Sequence, residues 1–131
     1  MLILVGAPIA FGDHAQRAFE LAKRIRISGI AVTERWSDAE LQLGVGVGAA
    51  SGFVTVGVIG AASRLEYTAV GPAVNLASRL CSEAAHGEIL VDLRTLELLQ
   101  DESHRAELMP GEALKLKGFA SPVQSYVLGP A

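Results

Sequence analysis

Apolar residues follow different periods along this chain, and the changes of period mark its predicted elements. The amino terminus, MLILVGAPIAF, is apolar, and its run is broken by Gly6 and Pro8. It lacks a basic leading segment, so it reads as a buried strand over 2–5 rather than a signal peptide. From Asp13 the spacing becomes helical, with Ala18, Leu21, Ala22 and Ile25 on one face. Asp13 and Gln16 predict a capping box, and Ser28-Gly29 predicts a stop near Ile27. Residues 30–39 read as a loop holding Trp36, which takes no role in this reading.

Beyond the loop, 41–47 and 53–59 predict two strands, and the short link GAASG at 48–52 predicts that they pair as a hairpin. Gly71-Pro72 opens a second helix, where the missing proline N–H costs nothing, and Gly87 closes it. A strand over 88–91, a helix capped by Asp92 to about Leu99, a polar loop over 101–113 and a strand pair over 114–117 and 123–127 complete the chain. The predicted order β-α-β-β-α-β-α-β-β gives an α+β domain of ferredoxin-like, split βαβ type, a sheet with helices on one face. A sheet whose first strand starts at Leu2 is short of partners.

Length and composition narrow the picture. At 131 residues, the expectation is a single domain over 1–131. Half the residues are hydrophobic and 19% are charged, which is globular rather than disordered. A net charge of −3 offers no basic patch, so no nucleic-acid partner is expected. The lone cysteine, Cys81, cannot form an internal disulfide, and a reducing cytoplasmic setting is expected. The Gly-rich run at 44–62 is long enough for a membrane span. Its spaced glycines and Val/Thr content favour two short strands and a turn, so no membrane insertion is expected.

The second helix carries the most informative side chains. Over 72–86, Val74, Leu76, Ala77, Leu80, Cys81 and Ala84 form an apolar surface, with Cys81 read as core filler. Asn75 and Arg79 stand four residues apart on one face. An amide orients a ribose oxygen, and a guanidinium offers forked donors to phosphate. A solvated face, or an Arg79–Glu83 ion pair, is the alternative. His14, His86 and His104 lack ligand spacing, so no zinc site is expected.

The run LGVGVGAASGFVTVGVIGAASRLEYTAVGPAVNLASRL resembles the core signature of class III nucleotidyl cyclases, the adenylate and guanylate cyclase catalytic domains. The shared pattern is a Gly-rich hairpin, a GVIG-like turn and a YT-x-x-G-x-x-VNLA-x-RL block. GEILVDLRTLELL resembles the family's strand-helix segment, and LKLKGFASPVQSYVL its closing hairpin. LILVGAPIAFGDHAQRA resembles the segment after the second metal-binding site. The resemblance covers nearly the whole chain.

The resemblance implies conversion of ATP or GTP to a 3′,5′-cyclic nucleotide and pyrophosphate in second-messenger signalling, with two Mg²⁺ or Mn²⁺ ions. Asn75 would position the ribose, and Arg79 would stabilise charge at the α-phosphate. Lys117 would contact the triphosphate, whereas Lys115 reads as a surface lysine. Thr68 stands where the family reads the base. Asp or Thr is common there in adenylate cyclases, and Cys or Ser in guanylate cyclases, so Thr68 leans towards ATP. Gly52, Gly57 and Gly60 read as structural glycines.

The family's two metal-binding aspartates lie in an F-x-D motif and a Gly-Asp turn. Neither is present, and Gly12-Asp13 does not match. The expectation is a cyclase domain lacking its opening strand, helix and next strand, without metal ligands, and inactive or nearly so alone. Family sites form between subunits, so a homodimer or a heterodimer with a second cyclase domain is implied. Three readings follow: a piece of an active enzyme, a non-catalytic pseudo-cyclase serving dimerisation or regulation, and an unrelated interaction role. The first is preferred.

Overall fold

A computed structural model describes residues 1–130. The helical period that begins after Asp13 gives α1 (His14–Trp36), followed by β1 (Val47–Ala49), β2 (Thr55–Ala61), β3 (Arg64–Val70), α2 (Pro72–Glu83), β4 (Ile89–Asp92), α3 (Leu93–Leu98), α4 (Glu102–Glu107), β5 (Met109–Leu114) and β6 (Val123–Leu128). Four strands form a sheet in the order β1-β4-β6-β5, parallel between β1 and β4 and antiparallel elsewhere. β2 and β3 form a separate antiparallel hairpin. The fold is mixed α+β, as the sequence predicts.

The sheet is covered on both faces, which corrects the expectation of helices on one face. All four residues of β4 are buried. Ile89 and Val91 join Phe19 and Ala22 of α1, together with Leu99 and Leu108. Leu90 points the other way, into a second cluster with Leu76 and Leu80 of α2 and with Leu116. A continuous ILV run is the pattern of a strand buried on two faces.

β1 explains the alternating glycines. Val47 and Ala49 pack against the α1 cluster. Gly46 and Gly48 face α2. A Cβ on Gly48 would stand 2.5 Å from the Ala77 carbonyl oxygen and 2.8 Å from the Leu80 carbonyl carbon. A Cβ on Gly46 would stand 2.8 Å from that of Ala84. Only glycine lets a helix backbone lie so close to a strand.

Several boundaries differ from expectation for related reasons. Residues 2–5 form no strand, and Leu2 and Ile3 are exposed, because no neighbouring strand pairs with them. α1 continues through Ser28-Gly29, since Val45 packs where a Gly29 side chain would stand, at 2.9 Å. Asp13 makes no capping bond; its carboxylate pairs with Arg17 at 2.9 Å, while Gln16 bonds His104 and Glu20. The hairpin joins β2 to β3, not 41–47 to 53–59, and only Val47–Ala49 of the earlier strand enters a ladder. α2 ends at Glu83, and Gly87, at φ +81°, instead donates its N–H to Val45 O at 2.7 Å. The polar stretch 101–113 holds α4 and most of β5, so the first strand of the closing pair lies earlier than predicted, whereas β6 falls where the sequence places it. Asp92 caps α3 as expected, its carboxylate accepting from the Thr95 N–H at 3.1 Å.

Candidate active site on helix α2

Gly71 starts α2 at φ +152°, a conformation that favours glycine, and Pro72 follows it. The amides of Val74 and Asn75 both donate to the Gly71 carbonyl. Leu76 and Leu80 then bury one side of the helix. Asn75 and Arg79 each precede one of these leucines, so burial of the leucines turns both polar side chains outward. Both are exposed. Among the described residues, neither side chain forms a hydrogen bond or ion pair, and the alternative Arg79–Glu83 bridge does not form.

Thr68 lies on β3, partly buried, opposite Gly57 of β2. The strand runs from Thr68 through buried Ala69 to Gly71 and directly into α2. Lys117 occupies the first corner of a tight turn in which the Phe119 N–H donates to Leu116 O at 3.2 Å. Gly118 takes the second corner at φ +92°, as a type II turn requires. Lys117 is exposed, but Leu116 is buried with Leu76 and Leu80, and Phe119 packs against the same cluster. One apolar cluster therefore holds both the Lys117 turn and the Asn75–Arg79 helix, and Thr68 leads into that helix by strand continuity. Lys115, Lys117 and Ser121 line a shallow depression beside the turn.

Among the described residues, no three His, Cys, Asp or Glu side chains stand together as a metal site. The residues present do not fit the metal pair that the resemblance implies. His86 accepts the Val45 N–H at 3.0 Å, His14 bonds Phe11 O, and His104 meets Gln16 and the Phe19 ring edge. Cys81 is exposed rather than buried, its thiol 3.4 Å from Gly46 O, because the tight seat of α2 on β1 is filled by glycine instead of side chains.

The sequence reading missed the β2–β3 hairpin. Val58, Leu65, Tyr67 and Val70 on it are each at least half exposed, and Phe53 beside it is 89% exposed. The signal was available in RLEYTAV, whose Val, Tyr and Thr favour a strand.

The family model described as the adenylate and guanylate cyclase catalytic domain matches residues 2–129. The chain belongs to that family. Two uncharacterised proteins of Mycobacterium tuberculosis are 36% and 35% identical to it over 125 and 128 residues. The matches cover 94% and 96% of this chain, but it spans only about a fifth of those relatives, 21% and 22%. Among solved cyclases, the guanylyl cyclase Cya2 superposes with a TM-score of 0.78 at 30% identity, covering 97% of this chain and 64% of that one. The adenylyl cyclase CyaB from P. aeruginosa gives 0.77 at 29%, covering 97% and 65%. The guanylate cyclase domain of RhGC from Catenaria anguillulae, solved with GTP, gives 0.70 at 26%, covering 96% and 65%. Adenylyl and guanylyl cyclases are thus almost equally similar, and the cyclase fold by itself does not select the nucleotide. No helix of the described residues is long and apolar enough to cross a membrane.

Proposed function

We propose that this chain, as one domain over 1–131, supplies the nucleotide-positioning half of a cyclase site and that a second cyclase domain supplies the metal ligands. The observation that carries this is the Asn75–Arg79 pair, exposed and without a protein partner among the described residues, on a helix fixed from behind by Leu76 and Leu80. In the cyclisation, the ribose 3′-hydroxyl gives up its proton to water, its oxygen forms a bond to the α-phosphorus, and the bond from that phosphorus to the bridging oxygen breaks to release pyrophosphate. Asn75 orients the ribose. Arg79 donates to the α-phosphate oxygens as charge gathers there. Lys117 holds the triphosphate as a point charge. Thr68 offers its hydroxyl to the base, and its identity favours ATP over GTP.

Mg²⁺ or Mn²⁺ serves this chemistry in the family, but the donor set here does not fit such ions. The chain alone is therefore expected to be inactive or nearly so. Pairing with a homologous domain also accounts for the apolar side chains left exposed on the β2–β3 hairpin, since an isolated two-stranded ribbon is marginal in water. That exposed hairpin also favours a second reading, a non-catalytic dimerisation or regulatory module. A cytoplasmic setting fits the lone thiol.

Cyclic nucleotide formation separates the two readings. The chain would be supplied with Mn²⁺ and either ATP or GTP, alone and mixed with a metal-competent cyclase domain whose own Asn–Arg pair is disabled. Product only in the mixture, faster from ATP, is expected. A mixed dimer that forms and makes no product from either nucleotide would favour the regulatory module. Turnover by the chain alone would contradict the half-site.

A further inference from the structure

α2 begins without a side-chain cap, so its first turn must be located by packing. The packing partner is the loop over 50–54 between β1 and β2. A Cβ on Gly71 would stand 3.2 Å from Phe53 O and 3.3 Å from Val54 Cα, and one on Gly52 would stand 3.1 Å from Ala73 Cβ. Ala50 packs against the cluster of Leu76 and Leu80. The loop therefore lies against the start of the helix at Gly71 and Ala73, within the turn that leads to Asn75.

A pair of hydroxyls ties the loop to α3. Ser51 Oγ lies 2.8 Å from Thr95 Oγ1, and Thr95 is 1% exposed. Thr95 is fixed in turn, because its N–H donates to the buried Asp92 carboxylate at the end of β4. The Arg94 guanidinium stands 5.6 Å from the Phe53 ring centre on the outer side of the same loop. The loop is thus tied to α3 through Ser51, while its other side forms the seat of α2. A half-buried serine bonded to a buried threonine is more than the fold requires for packing, since Ala and Val would fill the same space.

We propose that Ser51 and Thr95 are positioning residues: their hydrogen bond sets the loop against which the first turn of α2 packs, and so sets where Asn75 and Arg79 stand. The catalytic part of this inference rests on the cyclase reading above; the positioning part does not.

The test therefore has two readouts on Ser51→Ala, Thr95→Val and Thr95→Ser. Amide exchange of Val74 and Asn75, whose N–H groups bond Gly71 O, reports the first turn of α2. It is expected to quicken about fivefold in Ser51→Ala and Thr95→Val, the loss of one neutral hydrogen bond, with the β6 amides unchanged. Thr95→Ser, which keeps the hydroxyl, restores slow exchange. In the mixed assembly, kcat is expected to fall about fivefold with KM within about twofold, because orientation and not nucleotide affinity is lost. Unchanged exchange at Val74 and Asn75, or an equal rise in β6, overturns the proposal. So does an unmoved kcat in an assembly that turns over. If exchange changes selectively but the unaltered chain makes no product in any assembly, the positioning stands and the cyclase reading fails.

Discussion

Gly48 of β1 lies directly under the backbone of Cys81, with no room between them for even one methyl group. The obstacle is the main chain of α2 at Ala77, Leu80 and Cys81 rather than a flexible side chain. Gly48→Ala is expected to cost at least about 3 kcal/mol, since an overpacked site that cannot yield displaces a whole helix. Gly57→Ala, where no atom lies within 4 Å of the new methyl, should stay within about 0.5 kcal/mol. Urea denaturation of the two variants checks the contrast; equal losses would mean that α2 is free to move off β1.

Lys117 and Lys115 are both exposed in the same segment, yet only Lys117 sits at the corner of the turn anchored by Leu116. Lys117→Ala is expected to raise KM for the nucleotide about tenfold in the assembled cyclase, and Lys115→Ala to leave it within about twofold. Neither change should shift the unfolding midpoint. Equal effects on KM would remove Lys117 from the site.

Arg26 is the buried cation of α1, with 6% of its surface exposed. It donates to Gly129 O at 2.7 Å and weakly to Gly87 O at 3.5 Å, and its Nε has no acceptor among the described residues. With no carboxylate bridged to it among the described residues, much of its worth lies in the aliphatic stem. Arg26→Met should therefore cost about 1 kcal/mol or less, whereas Arg26→Ala should cost about 2–3 kcal/mol. Denaturation midpoints measure both; equal costs would assign the effect to the hydrogen bonds.

Acid should loosen α4 through Asp101. Hydrogen bonds from the Ser103 hydroxyl, at 2.6 Å, and from its N–H, at 2.8 Å, hold the Asp101 carboxyl below its ordinary value of 3.8. A carboxyl depressed on folding stabilises the fold fully above the unfolded value, and that contribution fades as pH falls below it. The Ser103 amide resonance should accordingly titrate with a midpoint below 3.8, and Asp101→Asn should abolish the movement. A midpoint at or above 3.8 would contradict the cap.

The helical periods were legible in the sequence, whereas the strand pairing was not. α2 was readable because Leu76 and Leu80 recur at helical spacing after Gly71-Pro72, and the same spacing put Asn75 and Arg79 together on one face, which the structure leaves exposed. The Asp92 cap was readable because it is local. Gly29 misled because glycine serves equally as a stop and as a site of close approach, and only the distant Val45 decides which. Residues 2–5 misled because hydrophobicity marks a strand but cannot supply its neighbour. The hydrogen bond between Ser51 and Thr95 spans 44 positions and leaves no periodic trace.

The most direct measurement is complementation. A metal-competent cyclase domain with a disabled Asn–Arg pair would be mixed with this chain carrying Arg79, or with its Arg79→Ala variant, and cyclic nucleotide counted. Product is expected with Arg79, and a fall of about a hundredfold or more without it, the scale of removing one donor to developing charge. The unfolding free energy should stay within about 0.5 kcal/mol, because Arg79 is exposed and unpaired among the described residues. Equal product from both chains would overturn the half-site, because Arg79 would then face solvent and not the nucleotide.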